Sequence, residues 1–174
     1  MDFSFSFSRR KALYIFCLGL LITAVYILST VRGAFLTFDL ASVNAMPFLV
    51  AAVGFYRGGY ASALAGVYAG VLMSLSSATP EGAEALVLGL FGAFCGFLAV
   101  NYMRRMLPSV LACGSGLLAL RGVISATYYW IFYSVPFFTV LASYLRIIAV
   151  SLVPGALCYF SVGWLERRLC GEDF

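Results

Sequence analysis

The chain has 174 residues, 63% of them apolar and 10% charged, with a net charge of +4 and a mean hydropathy of +1.01. A water-soluble globule of this size has no use for so much apolar side chain, and the apolar residues form continuous runs without the alternation a membrane barrel requires. There is no histidine and there are only seven carboxylates, of which Asp2, Glu166, Glu172 and Asp173 lie in the terminal regions, so neither His-based triads nor metal hydrolysis is expected.

These figures predict an all-α integral membrane protein, a single membrane domain over residues 1–174 with six transmembrane helices in a compact bundle. The first span, 12–31, follows Arg9, Arg10 and Lys11. No small-residue cleavage pattern closes it, so it is expected to be retained rather than removed as a signal peptide. A mixed loop with Arg32, Gly33 and Asp39 leads to a second run at 43–56. That run is shorter than the ~20 residues that cross a bilayer upright, so it is expected either to be thinly covered or to place Asn44 and Pro47 in a first turn at the interface.

Arg57, Gly58 and Gly59 form a tight turn into a third span at 60–75, and the Ser, Thr-Pro and Gly residues of 76–82 read as a loop. The fourth span, 83–103, ends on Arg104 and Arg105, and Pro108 suits the first turn of a fifth span at 107–133. After Ser134, Val135 and Pro136 the last run, 137–165, contains Arg146 and the Pro154-Gly155 pair. It exceeds a single upright crossing, and a tilted or kinked helix is expected.

Six spans put both termini on one side, together with Arg9, Arg10, Lys11, Arg57, Arg104, Arg105, Arg167 and Arg168, while the opposite side carries only Arg32. By the positive-inside rule the termini are cytoplasmic. The basic residues therefore report topology rather than nucleic-acid binding. Cys17, Cys95, Cys113 and Cys158 fall in apolar runs and Cys170 in the tail, with no Cys-x-x-Cys pair, which reads as small apolar side chains.

Three features are candidates for function. Gly58, Ser62, Gly66, Gly70 and Ser74 recur every four residues, and Ala85, Gly89, Gly92 and Gly96 repeat the device in the fourth span. Such stripes let helices approach closely in lipid, either within the monomer or against another protein. Arg121 and Arg146 lie inside the fifth and sixth runs, where an arginine costs roughly 2.5–3.5 kcal/mol to insert at a helix centre. As intramembrane polar anchors their partners are backbone carbonyls, water, a snorkelled lipid phosphate, Glu84, an anionic ligand or another subunit. Thr127, Tyr128, Tyr129, Trp130 and Tyr133 form either an interfacial belt or an aromatic-lined pocket. No Gly-x-Ser-x-Gly turn, phosphate loop, metal-ligand set or cofactor-binding motif accompanies them, so the chain reads as a protein that binds rather than catalyses.

The stretch from Met46 to Leu98 carries Pro47, Gly59, Gly66, Gly70, Pro80, Gly82, Gly92 and Gly96, in an order that resembles the MreD family of bacterial rod shape-determining membrane proteins. A Pro-initiated apolar helix, a basic-Gly turn, a Gly-x-x-x-Gly helix, a Pro-x-Gly loop and a Gly-rich helix ending in arginines follow one another. The ending at Arg167 and Arg168 is similar too. One departure is Ser74, where the family commonly carries an aspartate. The resemblance implies a fold like the energy-coupling-factor substrate-binding subunits. It also implies an inner-membrane, non-enzymatic scaffold of cell elongation that binds the single-span protein MreC and, indirectly, peptidoglycan synthases and an actin-like filament protein. The alternative is a substrate-binding subunit of an energy-coupling-factor vitamin transporter, with Arg121, Arg146 and the aromatics as its pocket. Against it, the first span lacks an Ala-x-x-x-Ala step, since Ala24 is spaced by four from Leu20 and Leu28.

Overall fold

The computed structural model describes residues 9–30, 44–75, 82–102 and 106–170, with side chains from 13 to 168 within those ranges. The expected loop with Arg32 and Asp39, Pro80, and the Arg104-Arg105 pair lie outside them. Among the described residues there are six α-helices and no strand: α1 (Arg9–Thr30), α2 (Met46–Arg57), α3 (Gly59–Ser74), α4 (Ala83–Asn101), α5 (Leu107–Tyr133) and α6 (Phe137–Cys170). Four of these, α1, α4, α5 and α6, are long and apolar enough to cross a bilayer, as expected of a helical membrane protein.

The short α2 is the centre of the molecule. Every residue from Met46 to Phe55 is buried, and α3, α4, α5 and α6 pack around it with α1 touching its edge. Its 12 residues rise about 18 Å, well below the ~30 Å of a hydrocarbon core. A helix this short is stable in a membrane because neighbouring helices, rather than lipid, cover it. Pro47 occupies its first turn. Asn44 stands before the helix, where its backbone N–H donates to Ser151 Oγ at 3.1 Å and ties the α2 entrance to α6.

Gly58 is the single residue between α2 and α3, and its φ of +85° is one that an L side chain rarely adopts. That conformation folds α3 back without a longer loop. Ser134, at φ +54°, opens the corresponding turn between α5 and α6. The sixth helix runs unbroken through Pro154. Beside that proline, Gly155 on α6 and Gly114 on α5 leave the space that the Phe48 ring fills, so a Cβ at either position would collide with the ring. Phe48 is fully buried there and locks the α5–α6 pair onto α2.

Candidate functional site

The glycine stripes meet each other. A Cβ on Gly66 would strike the Leu88 carbonyl, one on Gly70 would strike Ala85, one on Gly92 would strike Ser62, and one on Gly96 would strike Gly59. The two helices therefore run antiparallel with backbones in direct contact along their length. Ser62, fully buried, donates its hydroxyl to the Val50 carbonyl of α2 at 2.8 Å. A Cβ on Gly54 would lie 3.0 Å from the Ser62 oxygen and 3.1 Å from the Gly96 nitrogen. Three backbones converge at this node, and the stripe is consumed inside the monomer rather than offered outward. Two residues of the stripe stand apart from the seam: Gly58 is the turn, with open space around it, and Ser74 Oγ donates within its own helix to the Val71 carbonyl at 2.7 Å.

Among the described residues two ion pairs brace the helices. At the end shared by the α2 C-terminus, the α1 N-terminus and the α6 C-terminus, Arg57 Nε donates to Glu166 Oε2 at 3.0 Å and lies 2.8 Å from Oε1 in an ion pair. The Arg57 guanidinium also lies 4.3 Å from the centre of the buried Tyr14 ring, a cation–π contact strengthened by partial desolvation. Sequence reading assigns Arg57 to topology alone and treats Glu166 as a terminal carboxylate. Yet a six-span count puts both at the same membrane face, the signal from which their meeting was legible.

The second pair joins Arg121 on α5 to Glu84 on α4. Glu84 is buried in the first turn of α4, where the helix dipole favours a carboxylate. The α4 and α5 helices otherwise scarcely meet. Between the neighbouring Cys95 and Cys113 side chains and the ion pair lies a cavity of about 280 Å³ lined by Phe91, Phe94, Cys113, Gly116, Leu117 and Leu120, so the ion pair acts as a strut at one end of a gap. Among the partners expected for Arg121, the structure places Glu84 at hand.

Arg146 is exposed on α6 and has no ion pair among the described residues. Its neighbourhood fixes its level: a Cβ on Gly122 would meet the Tyr144 ring, and Tyr144 Oη lies 3.0 Å from Ser125 Oγ. Arg121 and Arg146 therefore stand at a similar height on the α5–α6 pair, level with the first turn of α4. From Arg146 to Glu166 the unbroken helix rises about 30 Å, the thickness of a hydrocarbon core. Beyond Arg121, α5 continues to Tyr133, about 18 Å further.

This end of the α5–α6 hairpin carries the aromatic cluster. Tyr128, Tyr129, Trp130, Phe132, Tyr133 and Phe138 are all exposed, from 45% to 79%. Their rings pair with one another, as in Tyr128–Phe132 at 4.8 Å and Tyr129–Tyr133 at 5.6 Å between centroids. Thr127 Oγ1 donates to its own helix at the Val123 carbonyl. The cluster forms an outer surface, and the cavities described along α1, α3, α4 and α6 are lined by other residues.

The cysteines divide by burial: Cys95 and Cys158 are buried, Cys17 and Cys113 half-buried, all with free thiols. Among the described residues, no group of three or more Cys, Asp or Glu side chains is placed to hold a metal ion. Comparison with known protein families, with characterised proteins and with solved structures finds no match to this chain.

Proposed function

We propose that this chain is a non-enzymatic scaffold of the bacterial cytoplasmic membrane, of the MreD type, which crosses the bilayer six times with both termini in the cytoplasm. In this reading it binds a single-span MreC-like protein and, through it, the synthases and filament protein that direct lateral wall growth and rod shape. The observation that carries the reading is the aromatic α5–α6 hairpin. With the Arg57–Glu166 pair at the inner boundary, Arg121 and Arg146 stand at the outer boundary and the hairpin projects outside it. A contiguous exposed apolar surface of that kind marks a protein interface, and Trp and Tyr are the residues such interfaces favour.

The positions behind the family resemblance support it further. Pro47 starts α2, Gly82 precedes α4 at φ +89°, and Gly59, Gly66, Gly70, Gly92 and Gly96 build the α3–α4 seam. The test is affinity purification of the tagged full-length chain from its native membrane in mild detergent, with mass spectrometry of proteins and small molecules. Recovery of an MreC-like protein and wall synthases is expected, and it is expected to fall when Trp130→Gln and Phe132→Gln are combined. Recovery of a transporter ATPase pair or a bound vitamin overturns the reading in favour of substrate capture.

A further inference from the structure

A groove runs along the outer seam between α1 and α6. Near the basic helix ends it has a volume of about 490 Å³. Its floor is made by the half-buried Cys17, Leu21, Ala24 and Ser161, and its walls by the exposed Leu20, Phe160 and Trp164. A second cavity of about 190 Å³ shares Leu21 and Ser161 with it and continues past Leu157 to Val153 and Ser29. The Ser161 hydroxyl is turned back onto its own helix, donating to the Leu157 carbonyl at 2.8 Å, so the surface presented to an occupant is apolar.

The dimensions and the charge at the mouth select the occupant. From Trp164 to Val153 the groove follows α6 for about 16 Å, close to half of the ~30 Å hydrocarbon thickness, that is, one leaflet. The protruding Leu20, Phe160 and Trp164 side chains hold a second helix away from the smaller floor residues, whereas a flexible acyl chain fits between them. At the mouth the Arg168 guanidinium stacks 4.7 Å from the centre of the Trp164 ring. Arg168 is exposed and makes no ion pair among the described residues. Arg57, at the same end, has Glu166 as its counter-ion.

We propose that the α1–α6 groove is a binding site for an anionic phospholipid of the leaflet on the basic side, with one acyl chain between Phe160 and Leu20 and the phosphate on Arg168. The Trp164 ring holds the guanidinium at the mouth, and a basic site between transmembrane helices is the recognised chemistry for anionic headgroups. The inference is independent of the scaffold reading.

The test is native mass spectrometry of the purified full-length chain titrated with phosphatidylglycerol or with phosphatidylcholine of the same chains. The wild type is expected to retain one phosphatidylglycerol in preference to phosphatidylcholine. Arg168→Gln, a change at an exposed position, is expected to weaken that retention about fivefold and to abolish the preference. Ala24→Phe, which fills the floor, is expected to reduce retention of both lipids. Equal retention of the two lipids by the wild type overturns the proposal, as does retention unchanged in both variants or a groove occupied by a co-purifying helix that lipid does not displace.

Discussion

In the α3–α4 seam each of Gly66, Gly70, Gly92 and Gly96 faces the backbone of the opposing helix, whereas at the tip of the α5–α6 hairpin a cluster of large aromatic side chains stands exposed. Both regions are built from apolar residues, so hydrophobicity does not separate them. In lipid an apolar side chain gains little by leaving the solvent, and what holds helices together is close contact and satisfied polar groups. The seam has both, through its glycines and the Ser62 bond to Val50. The hairpin has Gly122 against Tyr144 and the Tyr144–Ser125 hydrogen bond near its base, and beyond that a surface of rings. The first region makes the fold and the second is free to meet something else.

The sharpest way to break this contrast is to thicken the seam. Gly66→Leu or Gly96→Leu forces a branched side chain into backbone that has nowhere to move, with an expected cost on the order of 4 kcal/mol or more. The expected result is loss of a monodisperse peak in size-exclusion chromatography, while Gly116→Leu, where a Cβ meets nothing, leaves the peak intact. Phe48→Ala empties the notch between Gly114 and Gly155 and is expected to cost about 3 kcal/mol, read as a lowered thermal midpoint in detergent.

Next comes the strut. Glu84→Leu leaves Arg121 without its counter-ion at a site that is one-third exposed, for an expected loss of about 2 kcal/mol, discounted for that exposure. Combining Glu84→Leu with Arg121→Met is expected to recover much of it, because an apolar pair leaves no uncompensated charge. A double variant less stable than either single one sinks the strut. The smallest effect belongs to the hairpin: Trp130→Gln is expected to change stability by less than about 0.5 kcal/mol while lowering partner recovery, and a large drop in thermal midpoint would show instead that its ring is part of the fold.

Much of the architecture was legible because prolines, glycines and charges punctuate the apolar runs. The fifth run, read as 107–133, is the helix Leu107–Tyr133, and Ser134 to Pro136 is the turn after it. The second run, read as 43–56, begins as a helix only at Met46, because Pro47 fits the first turn and Asn44 is held outside by Ser151. The last, read as 137–165, continues to Cys170. Its Arg167 and Arg168 suit a final helical turn, where cations face the dipole favourably.

The lateral arrangement was harder to see. Periodicity locates a helix along the chain but does not say which neighbour it faces, and with apolar residues on all sides the usual amphipathic signal is missing. Glycine spacing marked the α3–α4 seam as close contact and left open with what. Glu84 was one of several partners for Arg121, and nothing local pointed Phe48 toward Gly114 and Gly155, which lie far along the chain on α5 and α6.

The position of α2 has a consequence for the order of biogenesis. Its two glycine sockets for Phe48 are on α5 and α6, which leave the ribosome after α1 to α4. Until then α2, too short to span on its own, has only α1, α3 and α4 to shield it. We therefore expect a nascent chain that ends before α5 to remain susceptible to membrane proteases at α2, and the arrival of the α5–α6 hairpin to be the step that makes the protein resistant.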